Sequence, residues 1–457
     1  MVFSSISFLF FFLSLLFLLY YITPKKYRNY ILLIFSLLFY YIGEKWFVIL
    51  LIFSCLINYI LGLLIFKKRK FYLIIGLIFN IGLLFYFKYT NFFLSTFASI
   101  FNFNISSLNI ILPLGISFFT FQNISYLIDV YRRDVPPEKN FFKYATYITL
   151  FPQLVAGPIV RYKDVSNELD NRCESFSLFS EGVKRFIIGL SKKVIIADTI
   201  YHVYTNILNS NMVVLSYILV AIGFALQIYY DFSGYSDMAI GLGKMFGFNF
   251  KENFNYPLIA SSITDFWRRW HISLSSFFKD YVYIPLGGNK CRKLKHIRNI
   301  FIVWFLTGLW HGASWNFIIW GIYFFIFLIL EKFILKKYLK KNIFSYIYTF
   351  IVVVISFVIF SITDLNELFI FLKGMFGIGI PLINKESLYY LSNSIILLLI
   401  AILGISPFIK NKIKSLEKGK LENVIKVGEI IYIFTIFIIA IASIISSSFN
   451  PFIYFRF

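Results

Sequence analysis

Charged residues are scarce in this sequence, and acidic residues are the scarcest. Only 14% of the 457 residues are Asp, Glu, Lys or Arg, compared with about 25% in a soluble domain. There are 22 acidic residues against 44 basic ones, and 59% of all residues are hydrophobic. With a mean hydropathy of +0.77, this composition excludes a soluble globular domain. It predicts a polytopic, all-α membrane protein that forms a single domain over residues 1–457.

Cysteines and familiar hydrolytic motifs are also largely missing. The three cysteines, Cys55, Cys173 and Cys291, stand far apart and form no CxxC pair, so there is neither a disulfide framework nor a thiolate metal site. The sequence contains no GxSxG, Walker A or HExxH motif. Hydrolase, ATPase and metalloprotease interpretations therefore have no motif behind them. We predict no metal site and no resident cofactor.

The excess of basic residues gives a formal net charge of +22, which could suggest nucleic-acid binding. However, the basic residues form short clusters between apolar runs, which is typical of the positive-inside rule for membrane helices. These clusters lie at 25–28, 67–70, 132–133, 336–341 and 410–420. We therefore expect anionic membrane lipids, and not nucleic acid, as their partners.

Apolar runs of about 20 residues, each long enough to cross a bilayer, predict about ten to twelve crossings. The expected helices lie at 2–22, 30–43, 46–66, 71–88, 110–131, 180–203, 212–230, 297–312, 315–335, 344–362, 386–408 and 428–447. The first run has no basic n-region or small-residue cleavage site, so we expect a retained helix. The basic clusters place both termini outside the cytoplasm. The apolar piece 92–101 is too short to cross and is expected at the outer interface.

The region 140–300 is irregular, because short apolar pieces alternate with proline and glycine. Two examples are FPQLVAGP at 151–158 and DFSGYSD at 231–237. Such pieces could be ordinary cytoplasmic loops. They could also form a re-entrant core, because broken backbone at membrane depth is tolerated where protein buries it or where it lines a cavity. The second interpretation is favoured, since the pieces are apolar yet too short to cross.

The stretch WFLTGLWHGASWNFIIW at 304–320 carries one histidine, His311. Basic residues at 290–298 and 336–341 flank it, so the chain between them must enter the membrane and return as a hairpin. At 1.5 Å of rise per residue, His311 lies about 20 Å beyond Arg298, deep in the bilayer. Gly308 and Gly312 have the small-xxx-small spacing of close helix packing, and Thr307 shares the face of His311.

An ionisable residue inside a membrane is a functional-site hypothesis by default. The alternative for His311 is a buried histidine bonded to a backbone carbonyl. Imidazole has a pKa near 6.5, which suits a general base at neutral pH, and a low dielectric favours its neutral form. It could take the proton from a hydroxyl that attacks a thioester.

A second histidine, His271, lies in DFWRRWHISLSSFFKDYVYIPLGG at 265–288. This segment interleaves Arg268, Arg269 and Lys279 with aromatic residues. An amphipathic interfacial helix would have the same pattern. The residues alone do not decide whether His271 is a functional residue or part of such a helix. His202 and His296 occur at the ends of apolar segments and are interpreted as interfacial.

Four segments in this order closely resemble the membrane-bound O-acyltransferases. They are LVAGPIVRY at 154–162, QIYYDFSGYSDMAIGLGKMFGF at 227–248, ENFNYPLIASSITDFWRRWHISLSSFFKDYVYIPLGGNK at 252–290 and LTGLWHGASWNFIIWG at 306–321. Within the family the chain looks most like the bacterial alginate O-acetylase branch, which includes the transmembrane component of peptidoglycan O-acetylation. The teichoic acid D-alanine transferase is a more distant relative. The resemblance covers residues 110–325.

The resemblance implies a ring of helices around a thin centre, with His311 and His271 as the catalytic histidines. It implies acetyl transfer from cytoplasmic acetyl-CoA, across the bacterial inner membrane, to a polysaccharide outside. A separate SGNH esterase-like partner, periplasmic or membrane-anchored, would complete the transfer. Arg268, Arg269 and Lys279 would attract donor phosphates or anchor lipid headgroups. Asp231 and Asp237 would line the cavity or pair with basic residues.

Three other functions compete with this interpretation. A transporter or flippase for a lipid-linked sugar could also use broken helices and an intramembrane histidine, but the sequence has no inverted repeat and no coupling motif. D-alanyl transfer to teichoic acid would keep the chemistry and change the donor. Lipid or protein acylation of the eukaryotic type is disfavoured by the bacterial-type motifs.

Overall fold

The computed structural model describes residues 2–66, 70–104, 108–416 and 422–446. These residues form helices and no β-strand, which confirms the predicted all-α class. Seven of the described helices are long and apolar enough to cross a membrane. They are Phe47–Ile65, Lys70–Phe101, Val214–Met245, Trp315–Phe333, Ile343–Ser361, Lys385–Gly404 and Glu422–Ser446.

The difference from the ten to twelve predicted crossings lies in helices that are short or carry charge at one end. They are Ser7–Ile22, Arg28–Glu44, Ile116–Arg132 and Lys293–His311, together with Phe176–Ser191 and Asp198–Leu208 in place of the predicted helix 180–203. A 17-residue helix such as Arg28–Glu44 is about 25 Å long, somewhat less than the hydrocarbon core of a bilayer. The apolar runs occur where the sequence predicts them, but their helices differ in length.

The chain divides into two compact units, and the first comprises Met1–Phe186 and Met238–Glu252. Its helices, in chain order, are α1 Leu13–Ile22, α2 Arg28–Glu44, α3 Phe47–Ile65, α4 Lys70–Leu84, α5 Thr90–Phe101, α6 Ile116–Arg132, α7 Phe141–Thr149, α8 Phe151–Leu154 and α9 Tyr162–Asp170. A π-helical segment, Ser7–Phe12, leads into α1.

Buried amides connect four helices of this first unit. Asn58 of α3 and Asn80 of α4 exchange hydrogen bonds of 2.6 and 3.2 Å. Asn123 of α6 donates to Ser54 over 3.1 Å and accepts from the Tyr144 hydroxyl of α7 over 2.6 Å. Polar groups inside an apolar unit are stable because they satisfy one another, and such pairs also fix the helix register.

One sequence prediction for this unit is wrong. Residues 92–101 are not a separate interfacial piece, because a π-helical turn at Phe85–Tyr89 joins α4 to α5 in one 32-residue helix, Lys70–Phe101. No proline or glycine interrupts the sequence between residues 83 and 101. The single charge in this stretch, Lys88, does not stop the helix, and its Nζ lies 3.5 Å from the Ser117 hydroxyl.

The second unit comprises Ile187–Asp237 and Asn253–Phe457. Helix α10, Phe176–Ser191, reaches it from the first unit and passes through a π-helical turn, Lys192–Ala197. The following helices are α11 Asp198–Leu208, α12 Val214–Met245, α13 Ile263–Arg269, α14 Ile272–Phe278, α15 Lys293–His311, α16 Trp315–Phe333, α17 Ile343–Ser361, α18 Leu365–Met375, α19 Lys385–Gly404, α20 Phe408–Leu416 and α21 Glu422–Ser446. Their bounds agree with most of the predicted helices.

The segment DFSGYSD at 231–237 is a second correction. It does not break the chain but lies inside the continuous 32-residue α12. A Cβ at Gly234 would lie 2.7 Å from the Gly189 carbonyl oxygen, so this glycine permits close packing and does not end the helix. Tertiary contacts therefore override the local helix-breaking pattern.

Several other pieces of the irregular region are short and buried. Residues 151–161 are all buried although only four of them form a helix, Phe151–Leu154. Helices α13 and α14 have seven residues each and cannot span a membrane. Burial of such backbone favours the core interpretation over exposed loops.

The predicted hairpin around His311 is confirmed. Helices α15 and α16 pack against each other, and residues 312–314 connect them. A Cβ at Gly308 would collide with the carbonyl oxygen of Phe317, and a Cβ at Gly321 with that of Trp304. Glycine at both positions allows the two backbones to approach. Of the predicted pair Gly308 and Gly312, only Gly308 lies at this backbone contact, because Gly312 follows the end of α15.

Candidate active site

His311 is the last residue of α15, and the next residue, Gly312, is extended and ends the helix. The imidazole is 4% exposed. Its centroid lies 4.8 Å from the ring of Trp320 in α16, 5.2 Å from Phe360 in α17 and 4.9 Å from Trp310. The helix end and three aromatic rings therefore hold the imidazole away from bulk water.

His271 lies between α13 and α14 and is fully buried. Its backbone is left-handed, with φ 43° and ψ 55°, a conformation that non-glycine residues rarely adopt. Its ring lies 4.8 Å from Phe232 of α12 and 5.8 Å from Trp310. Trp310 thus contacts both histidines, and the structure brings the two sequence-predicted stretches to one place.

Asn253 and Ser273 surround the Nδ1 side of His271. The Asn253 Oδ1 lies 3.2 Å from His271 Nδ1 and accepts hydrogen bonds from the Ser273 amide (3.2 Å) and hydroxyl (2.8 Å). The Asn253 amide group donates to Ser236 over 3.1 Å. The sequence reasoning missed Asn253 and Ser273, although both lie inside the motif at 252–290. The one sequence feature that could have pointed to Ser273 is the alternation of polar residues after His271.

A series of contacting tryptophan rings extends from His311 to α13. The ring centroids of Trp320 and Trp267 are 5.7 Å apart, and those of Trp267 and Trp304 are 4.6 Å apart. Phe324 lies 4.9 Å from Trp267. This aromatic cluster fixes the short α13 against the α15–α16 hairpin, because large buried rings contribute most of the apolar contact.

Trp304 is also one of the residues that line a cleft of about 530 Å³. Its lining combines basic residues with apolar ones: Ser262, Thr264, Arg268, Tyr283, Ile300, Val303, Trp304, Leu328, Glu331, Lys332, Lys336 and Leu339. Of the predicted donor-binding residues, Arg268 lines this cleft. Lys332 and Lys336 add two cations that the sequence reasoning did not assign to a site.

Two buried groups shape the walls of this cleft. The Glu331 carboxylate accepts hydrogen bonds from the Thr264 amide (3.0 Å) and hydroxyl (2.8 Å), so α16 caps the N-terminus of α13. The buried His296 has its Nε2 2.9 Å from the Tyr283 hydroxyl and 2.9 Å from the Lys332 amine. His202, by contrast, is exposed on α11.

Three other predicted site residues form ion pairs, whereas Lys279 is exposed at the start of a π-helical turn, Lys279–Tyr283. Arg269 pairs with Asp265 one helical turn earlier over 3.0 Å. Asp237 pairs with Lys192 over 2.7 Å, and Asp231 pairs with Lys193 over 2.9 Å. Of the two roles predicted for the aspartates, the structure shows pairing with basic residues. Within the described ranges, no group of three or more His, Cys, Asp or Glu side chains could hold a metal ion.

The helical chain has several apolar spans and two buried histidines beside one tryptophan, which makes it an integral membrane protein with a candidate functional site. Comparison with protein families identifies its enzyme class. Residues 136–372 match the membrane-bound O-acyltransferase (MBOAT) family. The chain belongs to this family and is an acyltransferase, and the matched residues include both histidines.

The chain is similar to bacterial enzymes of three kinds. A probable alginate O-acetylase AlgI from Pseudomonas syringae pv. tomato is 40% identical over 92% of this chain and 84% of its own length. A peptidoglycan O-acetyltransferase from Helicobacter pylori is 36% identical over 86% of this chain and 83% of its own length. A teichoic acid D-alanyltransferase from Bacillus subtilis is 30% identical over 55% of this chain and 69% of its own length.

Proposed function

We propose that this protein takes acetyl groups from cytoplasmic acetyl-CoA and passes them through the membrane for O-acetylation of a cell-surface polysaccharide. The observation that carries the proposal is the buried His311, in a family-matched segment that also contains His271. The similarity to an alginate O-acetylase and a peptidoglycan O-acetyltransferase supports acetyl as the group and a polysaccharide as the final acceptor. The polysaccharide would be an alginate-like exopolysaccharide or peptidoglycan.

His311 acts as the general base in this proposal. Its imidazole accepts the proton of the acceptor hydroxyl while the hydroxyl oxygen bonds to the acetyl carbonyl carbon. The carbon–sulfur bond of the thioester breaks, and the proton passes to the departing thiolate. The burial of His311 supports this role, because a site without bulk water protects the thioester from hydrolysis. His271 assists from the cytoplasmic side.

The basic cleft supports a cytoplasmic entry for the donor. Arg268, Lys332 and Lys336 place three cations around an opening with apolar walls, a lining that suits a phosphate-bearing molecule with a less polar arm. Trp304 lines the cleft and contacts Trp267, which contacts Trp320 beside His311. Arg269 and Asp237 remain predicted substrate contacts, with Asp265 and Lys192 as their present ion-pair partners.

The location follows from the same scheme. The protein would lie in the bacterial inner membrane with its N-terminus outside and its basic clusters in the cytoplasm, beside anionic lipid. The acceptor hydroxyl would belong to a separate SGNH esterase-like protein, periplasmic or membrane-anchored, which then acetylates the polysaccharide.

Two alternatives differ in what they predict for the cell surface. Membership in an acyltransferase family favours group transfer over transport of an intact lipid-linked sugar. D-alanyl transfer is supported by the Bacillus subtilis relative, but that match covers less of the chain than the matches to the acetyltransferases. The surface ester therefore distinguishes the alternatives: acetate, D-alanine or neither.

The test measures ester-linked acetate and D-alanine on surface polysaccharide and peptidoglycan. Cells would carry the wild-type gene, a deletion, His311→Ala or His202→Ala. We expect the deletion to abolish acetate on one polymer. His311→Ala should lower it at least about a hundredfold, the usual contribution of a general base. His202→Ala is the matched control, because this exposed histidine on α11 should leave acetylation at the wild-type level.

Protein abundance in the membrane must be equal for the two histidine variants. Normal acetate in cells with His311→Ala would reject His311 as the base. Loss of D-alanine in the deletion, with acetate unchanged, would replace the acetyl donor by a D-alanyl donor.

A further inference from the structure

Hydrogen bonds to neighbouring residues fix the orientation of the Asn253 side-chain amide. A backbone N–H only donates, so the Asn253 atom that faces the Ser273 amide at 3.2 Å must be the carbonyl oxygen. The opposite end of the same amide donates to Ser236 over 3.1 Å. Asn253 is fully buried, and its backbone carbonyl also accepts from the Ile272 amide over 3.0 Å. Both its side chain and its backbone are therefore held.

This orientation decides which nitrogen of His271 carries the proton. The Asn253 carbonyl oxygen lies 3.2 Å from His271 Nδ1, and an oxygen that only accepts requires a proton on that nitrogen. The Ser273 hydroxyl is 3.4 Å from the same nitrogen. However, its single proton goes to Asn253 at 2.8 Å. Complete burial of His271 favours the neutral ring, which carries only one proton.

We propose that Asn253 is a positioning residue that holds His271 in its Nδ1–H tautomer and leaves Nε2 as the basic nitrogen. A histidine of this kind accepts a hydrogen bond or a proton at Nε2. His271 therefore handles the proton of a hydroxyl or thiol and does not donate to a carbonyl oxygen. The tautomer is a property of the protein before any substrate binds, and only its consequence for transfer rests on the proposed function.

The backbone around His271 supports a positioning role. The left-handed residue turns the chain sharply between α13 and α14. The Asn255 amide donates to the Arg269 carbonyl over 2.9 Å, and the Ile272 amide donates to Asn253, so hydrogen bonds on both sides of His271 tie this turn to residues 253–255. Phe232 and Trp310 cover the ring. The imidazole can thus neither flip nor exchange its tautomer without breaking these contacts.

The chain has only four histidines, which makes the tautomer measurable. Protein labelled with ¹⁵N and ¹³C in histidine alone would be placed in lipid bilayers and studied by magic-angle-spinning NMR. A His271→Gln sample assigns the His271 signals by their loss. We expect wild-type His271 to carry its proton on Nδ1. A proton on Nε2 would overturn the proposal without any variant of Asn253.

Three variants test whether Asn253 is the cause. Asn253→Asp keeps the acceptor oxygen and should keep the Nδ1–H form, whereas Asn253→Leu removes it and should shift His271 to the Nε2–H form. Ser236→Ala is the matched control, because it removes the partner of the other end of the amide. Unchanged signals of the other three histidines show that Asn253→Leu is folded. An Nδ1–H form that persists in Asn253→Leu would reject the role of Asn253.

Ester acetate on the surface polymer provides the second readout. Asn253→Leu should lower acetylation at least about tenfold, because a histidine in the wrong tautomer no longer presents its basic nitrogen to the reacting group. Asn253→Asp should restore most of it. If wild-type cells carry no acetate ester, the proposed function fails, while the NMR result still decides the tautomer.

Discussion

Lys193 is a buried lysine, with 3% of its surface exposed, between two carboxylates. Its amine lies 2.6 Å from Asp198 and 2.9 Å from the fully buried Asp231 of α12. The neighbouring Lys192 pairs with Asp237, which follows Asp231 by six residues in α12. The π-helical turn at Lys192–Ala197 contains both lysines, and such turns are frequent at functional positions.

Replacing Lys193 by Met should destabilise the protein by about 3–5 kcal/mol, because it removes the cation that balances two buried carboxylates. The measurement is the thermal unfolding midpoint of the purified protein in detergent. Lys426→Met is the control, since its pair with Glu422 is more than half exposed on both sides and should contribute little to stability in water. Equal midpoints for the two variants would show that the buried pairs carry little stability.

At the scale of elements, the α15–α16 hairpin positions His311. Glycines on both helices bring the backbones together at Gly308 and Gly321. Asn316 at the start of α16 donates to the carbonyl oxygens of Ile359 and Phe360 at the end of α17, over 3.3 and 3.0 Å. These bonds fix Phe360 beside the imidazole. The position of His311 in the site therefore depends on the packing of these helices.

Gly308→Ala should separate the two helices, because the new Cβ would collide with the Phe317 carbonyl, which is backbone and cannot turn aside. Overpacking of this kind costs about 1–3 kcal/mol, and we expect acetylation to fall with it. Gly428→Ala in α21 is the matched control, since its Cβ would have no atom within 4 Å. The checks are unfolding midpoint and surface acetate. A Gly308→Ala protein that behaves like the control would contradict this packing argument.

At the scale of the whole molecule, the distribution of basic clusters predicts the membrane topology. The cluster at 132–133 predicts that the following residues, including the exposed Cys173, lie in the cytoplasm. The segment between α17 and α19 lies between the clusters at 336–341 and 410–420. It is therefore expected outside, and Ile378, in the loop between α18 and α19, is 62% exposed.

Labelling with a membrane-impermeant maleimide tests this topology. A variant with Cys55→Ala and Cys291→Ser retains only Cys173, which should react in inside-out vesicles but not in intact cells. Ile378→Cys in a background without native cysteines should react in intact cells. The reverse pattern would invert the proposed direction of acetyl transfer.

The periodicity of apolar residues predicted most helices within a few residues, including α15 and α16 around His311. It predicted them because a membrane span needs a long apolar run, and few other structures do. It failed at 92–101 and at 231–237, where length and helix-breaking residues suggested interruptions. In both places a longer helix forms, with a π-helical turn in one and close packing at Gly234 in the other.

The sequence by itself determined the class of the protein, the position of its spans and the two histidines. These properties depend on local features of the sequence: its composition, its charge clusters and its motifs. Only the tertiary structure decided that Trp310 contacts both imidazoles, that Lys193 joins Asp198 and Asp231, and that Asn253 faces His271. Each of these contacts joins residues whose spacing along the chain does not specify their distance in space, because packing and the satisfaction of buried polar groups select them together.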